Sequence, residues 1–152
     1  MGMHKLIAEM LFSKAAFLAN AWYASHMRHF DQLGEYKNFF RARFGADRQL
    51  CYELMVILSR YLEESDVSGE VVSWVERAYS VRVFDRINEE LFSLRIRLLT
   101  EVIDNELKFL NETGKISETE MKLSQARISE FLQQVKTKYI ERIDSSSNPD
   151  IF

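Results

Sequence analysis

Proline is missing from the chain between Met3 and Asn148, and only four glycines fall in that stretch: Gly34, Gly45, Gly69 and Gly114. These two residue types are the strongest interruptions a chain has, so long helices are permitted and their ends are marked. Four isolated glycines cannot form a GxGxxG or Walker-type phosphate loop. Cys51 is the only cysteine, which excludes an intrachain disulfide and a cysteine zinc site. It fits a reducing compartment, and a cytoplasmic location is expected. His4, His26 and His29 are the only histidines. They form neither HExxH nor the Glu-x-x-His pairs of helical di-metal sites. Neither a metal nor a cofactor is expected.

Excess positive charge is lacking too. Lys and Arg number 20 against 23 Asp and Glu, a net charge of −3 and a pI of about 5.7. Non-specific nucleic-acid binding, which needs a basic excess to displace counterions, is disfavoured. No long run is free of charge. Leu6 to Ala24 is mostly apolar, but Glu9 and Lys14 interrupt it, and each costs about 2.5–3.5 kcal/mol at mid-bilayer. A buried core helix is expected there, with no membrane span.

What is present is core material, 47% hydrophobic and 12% aromatic. The pattern predicts an all-α antiparallel bundle of about five helices in one domain over 1–144, with a frayed polar tail over 145–152. The helices are expected at about 3–33, 35–44, 47–64, 70–112 and 117–143. Gly34, Gly45 and Gly114 mark helix ends, and Asp47 and Ser68 are candidate N-caps. Ser117-x-x-Glu120 is a capping box, and Ile116 with Met121 forms the hydrophobic staple around it. A straight helix over 70–112 would be about 65 Å long. A compact domain of this size has a radius of gyration of about 15 Å, so a kink or break is expected near 79–82.

The second half of that segment has two apolar faces. Phe84, Ile87, Leu91, Leu94, Leu98, Val102 and Phe109 fall on one. Phe92, Ile96, Leu99, Ile103, Leu107 and Leu110 fall on another, roughly 120–150° away at 100° per residue. Such a helix either sits at the centre of the bundle or packs at home and binds a second chain. Asn88, Arg95 and Glu106 lie between the faces, where a polar group is a rim residue or is buried and paired. The candidate interaction surface is therefore Asn88, Phe92, Arg95, Ile96, Leu99, Ile103 and Glu106.

Catalytic residues are not apparent. Cys51 lies among Leu50, Tyr52 and Leu54, a context in which cysteine behaves as a small hydrophobe. The segment 28–48 interleaves bases with aromatics, and Arg28, Lys37, Phe39, Arg41, Arg43 and Arg48 form a candidate basic-aromatic patch. Three readings follow. The leading one is a non-catalytic protein-protein interaction module, such as a small soluble inhibitor, immunity or antitoxin-type protein or regulatory adaptor. Its partner would be a toxin or regulator, or a second copy in a homodimer. The alternatives are nucleic-acid binding through 28–48 and a helical bundle with a small-molecule pocket.

Overall fold

The computed structural model describes residues 2–29, 44–80 and 89–146. Over these residues the chain is all-α, with six helices and no strand. They are α1 (Gly2–Ser13), α2 (Ala15–His29), α3 (Phe44–Leu62), α4 (Ser68–Ser80), α5 (Glu89–Glu112) and α6 (Glu118–Ser146).

The helix predicted over 3–33 is divided at Lys14. The i−4 bonding carries across the division, from Lys14 N to the Met10 carbonyl and from Leu18 N to the Lys14 carbonyl, both at 2.8 Å. Ser13 Oγ donates to the same Met10 carbonyl at 3.2 Å, a back-bond of the kind that bends helices. The predicted helix over 35–44 lies outside the described residues apart from Phe44, which belongs to α3. That helix takes in Gly45 and Asp47, so neither the end assigned to Gly45 nor the cap assigned to Asp47 is observed. Asp47 sits in the first turn and is buried.

Two helix ends close by the same mechanism with different residues. Gly114 has φ +77. Its N–H donates to the Asn111 carbonyl at 3.1 Å, and Lys115 N donates to the Leu110 carbonyl at 2.9 Å. This is the Schellman pattern, in which the left-handed residue suits glycine. At the end of α3, Glu64 has φ 66. Glu64 N donates to the Tyr61 carbonyl at 3.0 Å and Ser65 N to the Arg60 carbonyl at 3.1 Å. A side chain in this region costs about 1–2 kcal/mol. Glu64→Gly is therefore expected to stabilise the protein by about 0.5–1 kcal/mol, the gain being reduced by glycine's greater freedom in the unfolded chain. Urea unfolding measures it, and an unchanged or lower midpoint would contradict the strain.

Helix α4 is capped by Asp66, not by the predicted Ser68. The Asp66 carboxylate accepts from Ser68 N at 3.1 Å and from Ser68 Oγ at 2.9 Å. These bonds, the backbone one foremost, hold its pKa below the usual carboxylate range. The capping box of α6 forms as predicted: Ser117 N donates to Glu120 Oε1 at 3.0 Å, and Glu120 N donates to Ser117 Oγ at 3.1 Å. Ile116 is buried and Met121 packs against the core.

The expected interruption of 70–112 is also present. Trp74 and Phe92 would lie about 27 Å apart along one straight helix, yet their rings are 6.5 Å apart. The chain reverses between α4 and α5, and Phe92 stacks on Tyr139 of α6 at 3.8 Å and 3°. Helices α1 and α2 pack on α3, α4 packs on α3 and α6, and α5 packs between α2 and α6. Lys14, just before α2, pairs with Glu106, and Trp22 further along α2 bonds to the earlier Arg95, which makes α2 and α5 antiparallel. No helix among the described residues is long and apolar enough to cross a membrane.

Candidate functional site

Both faces of α5 are used within the chain. Phe92, Ile96, Leu99 and Ile103 are buried, the last two with no exposed surface. Glu106 is at the rim and binds Lys14 Nζ at 2.9 Å, and Asn88 lies outside the described residues. The described apolar members of the predicted interaction surface are therefore core in this chain, where α5 packs between α2 and α6.

Arg95, predicted between those faces, is buried and is the hub of a polar network. Its Nη2 is 2.8 Å from Asp47 Oδ1 in α3. Its Nε donates to His26 Nε2 in α2 at 3.1 Å. An arginine only donates, so His26 Nε2 carries no proton and Nδ1 does. Nδ1 accordingly donates to the Trp22 carbonyl at 2.8 Å. The Trp22 indole donates to the Arg95 carbonyl at 2.9 Å, and the guanidinium carbon lies 4.6 Å from the centre of the Trp22 ring.

This setting keeps the imidazole neutral. Burial, and secondly the Arg95 charge, lower the His26 pKa from 6.5 to about 3. Cys51 is fully buried one turn from Asp47, and burial pushes its thiol up to about 12. A thiol rather than a nucleophilic thiolate is present at neutral pH. The space beside the network, bounded by Trp22, Leu50, Trp74, Phe92, Arg95 and Tyr139, is about 10 Å³. That is room for about one water molecule. Among the described residues, no group of three or more His, Cys, Asp or Glu side chains could hold a metal ion.

Of the basic-aromatic patch, Lys37, Phe39, Arg41 and Arg43 lie outside the described residues. Arg28 is exposed and donates to Ser25 Oγ at 3.1 Å. Arg48 is exposed in the second turn of α3.

The sequence reading missed a groove between α4 and α6. It encloses about 700 Å³ and is open to solvent. Its α6 wall carries Glu130, Gln133, Gln134, Thr137, Lys138 and Glu141, a stripe with helical spacing about 16 Å long. Opposite are Asp66, Val67, Ser68, Val71 and Val72, with Tyr61 at one end. Val67 and Val71 are buried floor residues, whereas Val72 is 49% exposed. Arg127 packs on Tyr61: its Nη2 donates to the Tyr61 carbonyl at 3.3 Å, and its guanidinium lies 4.7 Å from the Tyr61 ring centre. Burial raises the pKa of the Tyr61 phenol; the Arg127 charge opposes that rise and the Glu130 carboxylate adds to it. The wall stripe is visible in the sequence only as the polar side of a peripheral helix. The groove arises where a second helix lies beside that stripe.

Comparison with known proteins gives no match to a family model, to a curated protein or to a solved structure.

Proposed function

We propose that this chain is a non-catalytic protein-interaction module, of the inhibitor, immunity, antitoxin or regulatory-adaptor kind, and that it docks its partner in the α4–α6 groove. The observation that carries this reading is the shape and lining of the groove. A buried valine floor, a half-exposed valine and a polar wall three turns long suit a helical segment laid lengthwise. Small-molecule sites enclose most of their ligand, whereas this trough is open to solvent. The polar groups inside the bundle serve a different end. Arg95, Asp47, His26 and Trp22 join α2, α3 and α5 to one another.

The test uses Val72→Lys combined with Thr137→Lys, which fills the groove from both walls at exposed helical positions. The variant is expected to keep the helical circular-dichroism spectrum and thermal midpoint of the parent. Affinity capture from the native cell, followed by reconstitution from purified components, should give a stoichiometric complex with the parent chain. The variant should lose at least tenfold in affinity. A reconstituted partner that binds parent and variant equally would place docking elsewhere. No reconstitutable protein partner at all would remove the interaction reading.

A further inference from the structure

From the charge around the α4–α6 groove we infer that its occupant is a basic amphipathic helix of a partner protein; this rests on the docking reading above. The carboxylates lining the trough are Asp66, Glu130 and Glu141, against a single lining ammonium, Lys138. Lys138 Nζ is itself 3.6 Å from Glu141 Oε2. The chain leading to the groove adds exposed Glu63 and Glu64 immediately before the lining residue Ser65. The nearby cations are engaged: Arg60 Nη1 pairs with Glu70 at 2.7 Å, and Arg127 is held on Tyr61. Asp66 stays ionised because the Ser68 N–H and hydroxyl bond to it. The groove thus presents an apolar floor between negative rims. A helix with apolar residues at i, i+3, i+4 and i+7 would face the valines, and flanking Lys or Arg would meet the rims.

Two other grooves differ from it. One, between α3 and α4, encloses about 500 Å³ and also carries three carboxylates, Glu53, Asp66 and Glu70, but Glu53 is paired with Arg77 at 3.3 Å and Glu70 with Arg60 at 2.7 Å. The other, between α5 and α6, is lined by Glu89, Glu90 and Glu101 but also by Arg97 and Lys136. Its charges are mixed, and so it selects less strongly for a basic ligand.

The probe is a 14-residue amidated peptide of Leu, Ala and Lys with Leu at helical spacing. Its control is the same peptide with Glu in place of every Lys. Binding to the full ¹⁵N-labelled chain is followed by amide shifts at low and moderate salt. The basic peptide is expected to shift Val72, Gln134, Thr137 and Lys138 and to weaken several-fold with added salt. The acidic control should bind at least tenfold more weakly. Glu64→Gly supplies a readout that misfolding cannot mimic: affinity for the basic peptide should fall about two- to threefold while the thermal midpoint rises by about 2–4 °C.

Equal binding of the two peptides, or shifts centred on the Glu89–Glu101 groove, would overturn the inference. So would concentration-dependent shifts of the same amides in the protein alone, which would make a second copy the occupant. The two readings fail separately. A native partner that docks in the groove through an uncharged or acidic segment overturns only the charge assignment. Peptide binding without any native protein partner overturns the proposed function, and with it the assignment of the helix to a partner protein, while the groove's preference for a basic helix stands.

Discussion

Replacing Asp47 by alanine is expected to destabilise the bundle by about 3–5 kcal/mol, the cost of removing one member of a buried ion pair. Asp47 Oδ1 and Arg95 Nη2 are 2.8 Å apart, with side chains only 7% and 5% exposed. Without the carboxylate, the guanidinium charge stays in the low-dielectric interior with less to offset its desolvation. Asp47 also lies in the first turn of α3, where a negative charge opposes the positive end of the helix dipole. A domain of ordinary stability has about 5–15 kcal/mol to lose, so the variant should sit close to unfolding at 37 °C. Guanidinium unfolding of Asp47→Ala, Arg95→Met and the double variant closes the thermodynamic cycle. The double variant should be markedly more stable than the sum of the single losses implies. Simple additivity would mean that the two side chains are not energetically coupled.

Acid should weaken the fold through His26. Its folded pKa is about 3 against 6.5 for the free side chain. Between those values the unfolded chain binds a proton that the folded chain does not. Stability from this group is therefore complete above about pH 6.5 and is lost as pH falls toward 3. The slope attributable to His26 approaches about 1.4 kcal/mol per pH unit in that window. The structural cause is direct: a protonated Nε2 can no longer accept from Arg95 Nε and would face its charge. His26→Gln keeps one acceptor for Arg95 and one donor for the Trp22 carbonyl. It should therefore flatten the pH dependence between 6.5 and 4 with a smaller loss at pH 7.5. Urea midpoints at half-unit pH steps for parent and variant measure the difference. Parallel curves would remove His26 as the source.

Some of this was legible in the sequence because the partners are close along the chain. The Ser117–Glu120 box and the Gly114 cap are complete within five or six residues, and both formed as predicted. The two apolar faces of α5 were legible as periodicity, and so was the need for a kink or break between Gly69 and Glu112. The Lys14 division was not legible, because its apolar pattern runs through without a break. Asp66 and Ser68 are both acceptable capping residues, so spacing alone did not choose between them.

The candidate site was legible in one residue. Arg95 stood out as a charge between two apolar faces, but its partners did not. Asp47 is 48 positions away and His26 is 69. Read locally, the first was a candidate cap and the second one of three histidines that form no metal motif. The α4–α6 groove left no trace in periodicity, since its wall is simply the polar side of α6 until α4 lies beside it.

By itself, the sequence determined the fold class, the helix ends at Gly114 and at Ser117–Glu120, and the lack of a glycine-rich phosphate loop and of an intrachain disulfide. These depend on interactions spanning a few residues, whose geometry the backbone dictates. Tertiary packing alone decided which helix covers each face of α5. It turned a presumed docking surface into core, drew Arg95, Asp47 and His26 together, and opened a trough between α4 and α6. Each of those outcomes depends on the relative placement of helices far apart in the chain, which burial of their apolar faces sets for the molecule as a whole.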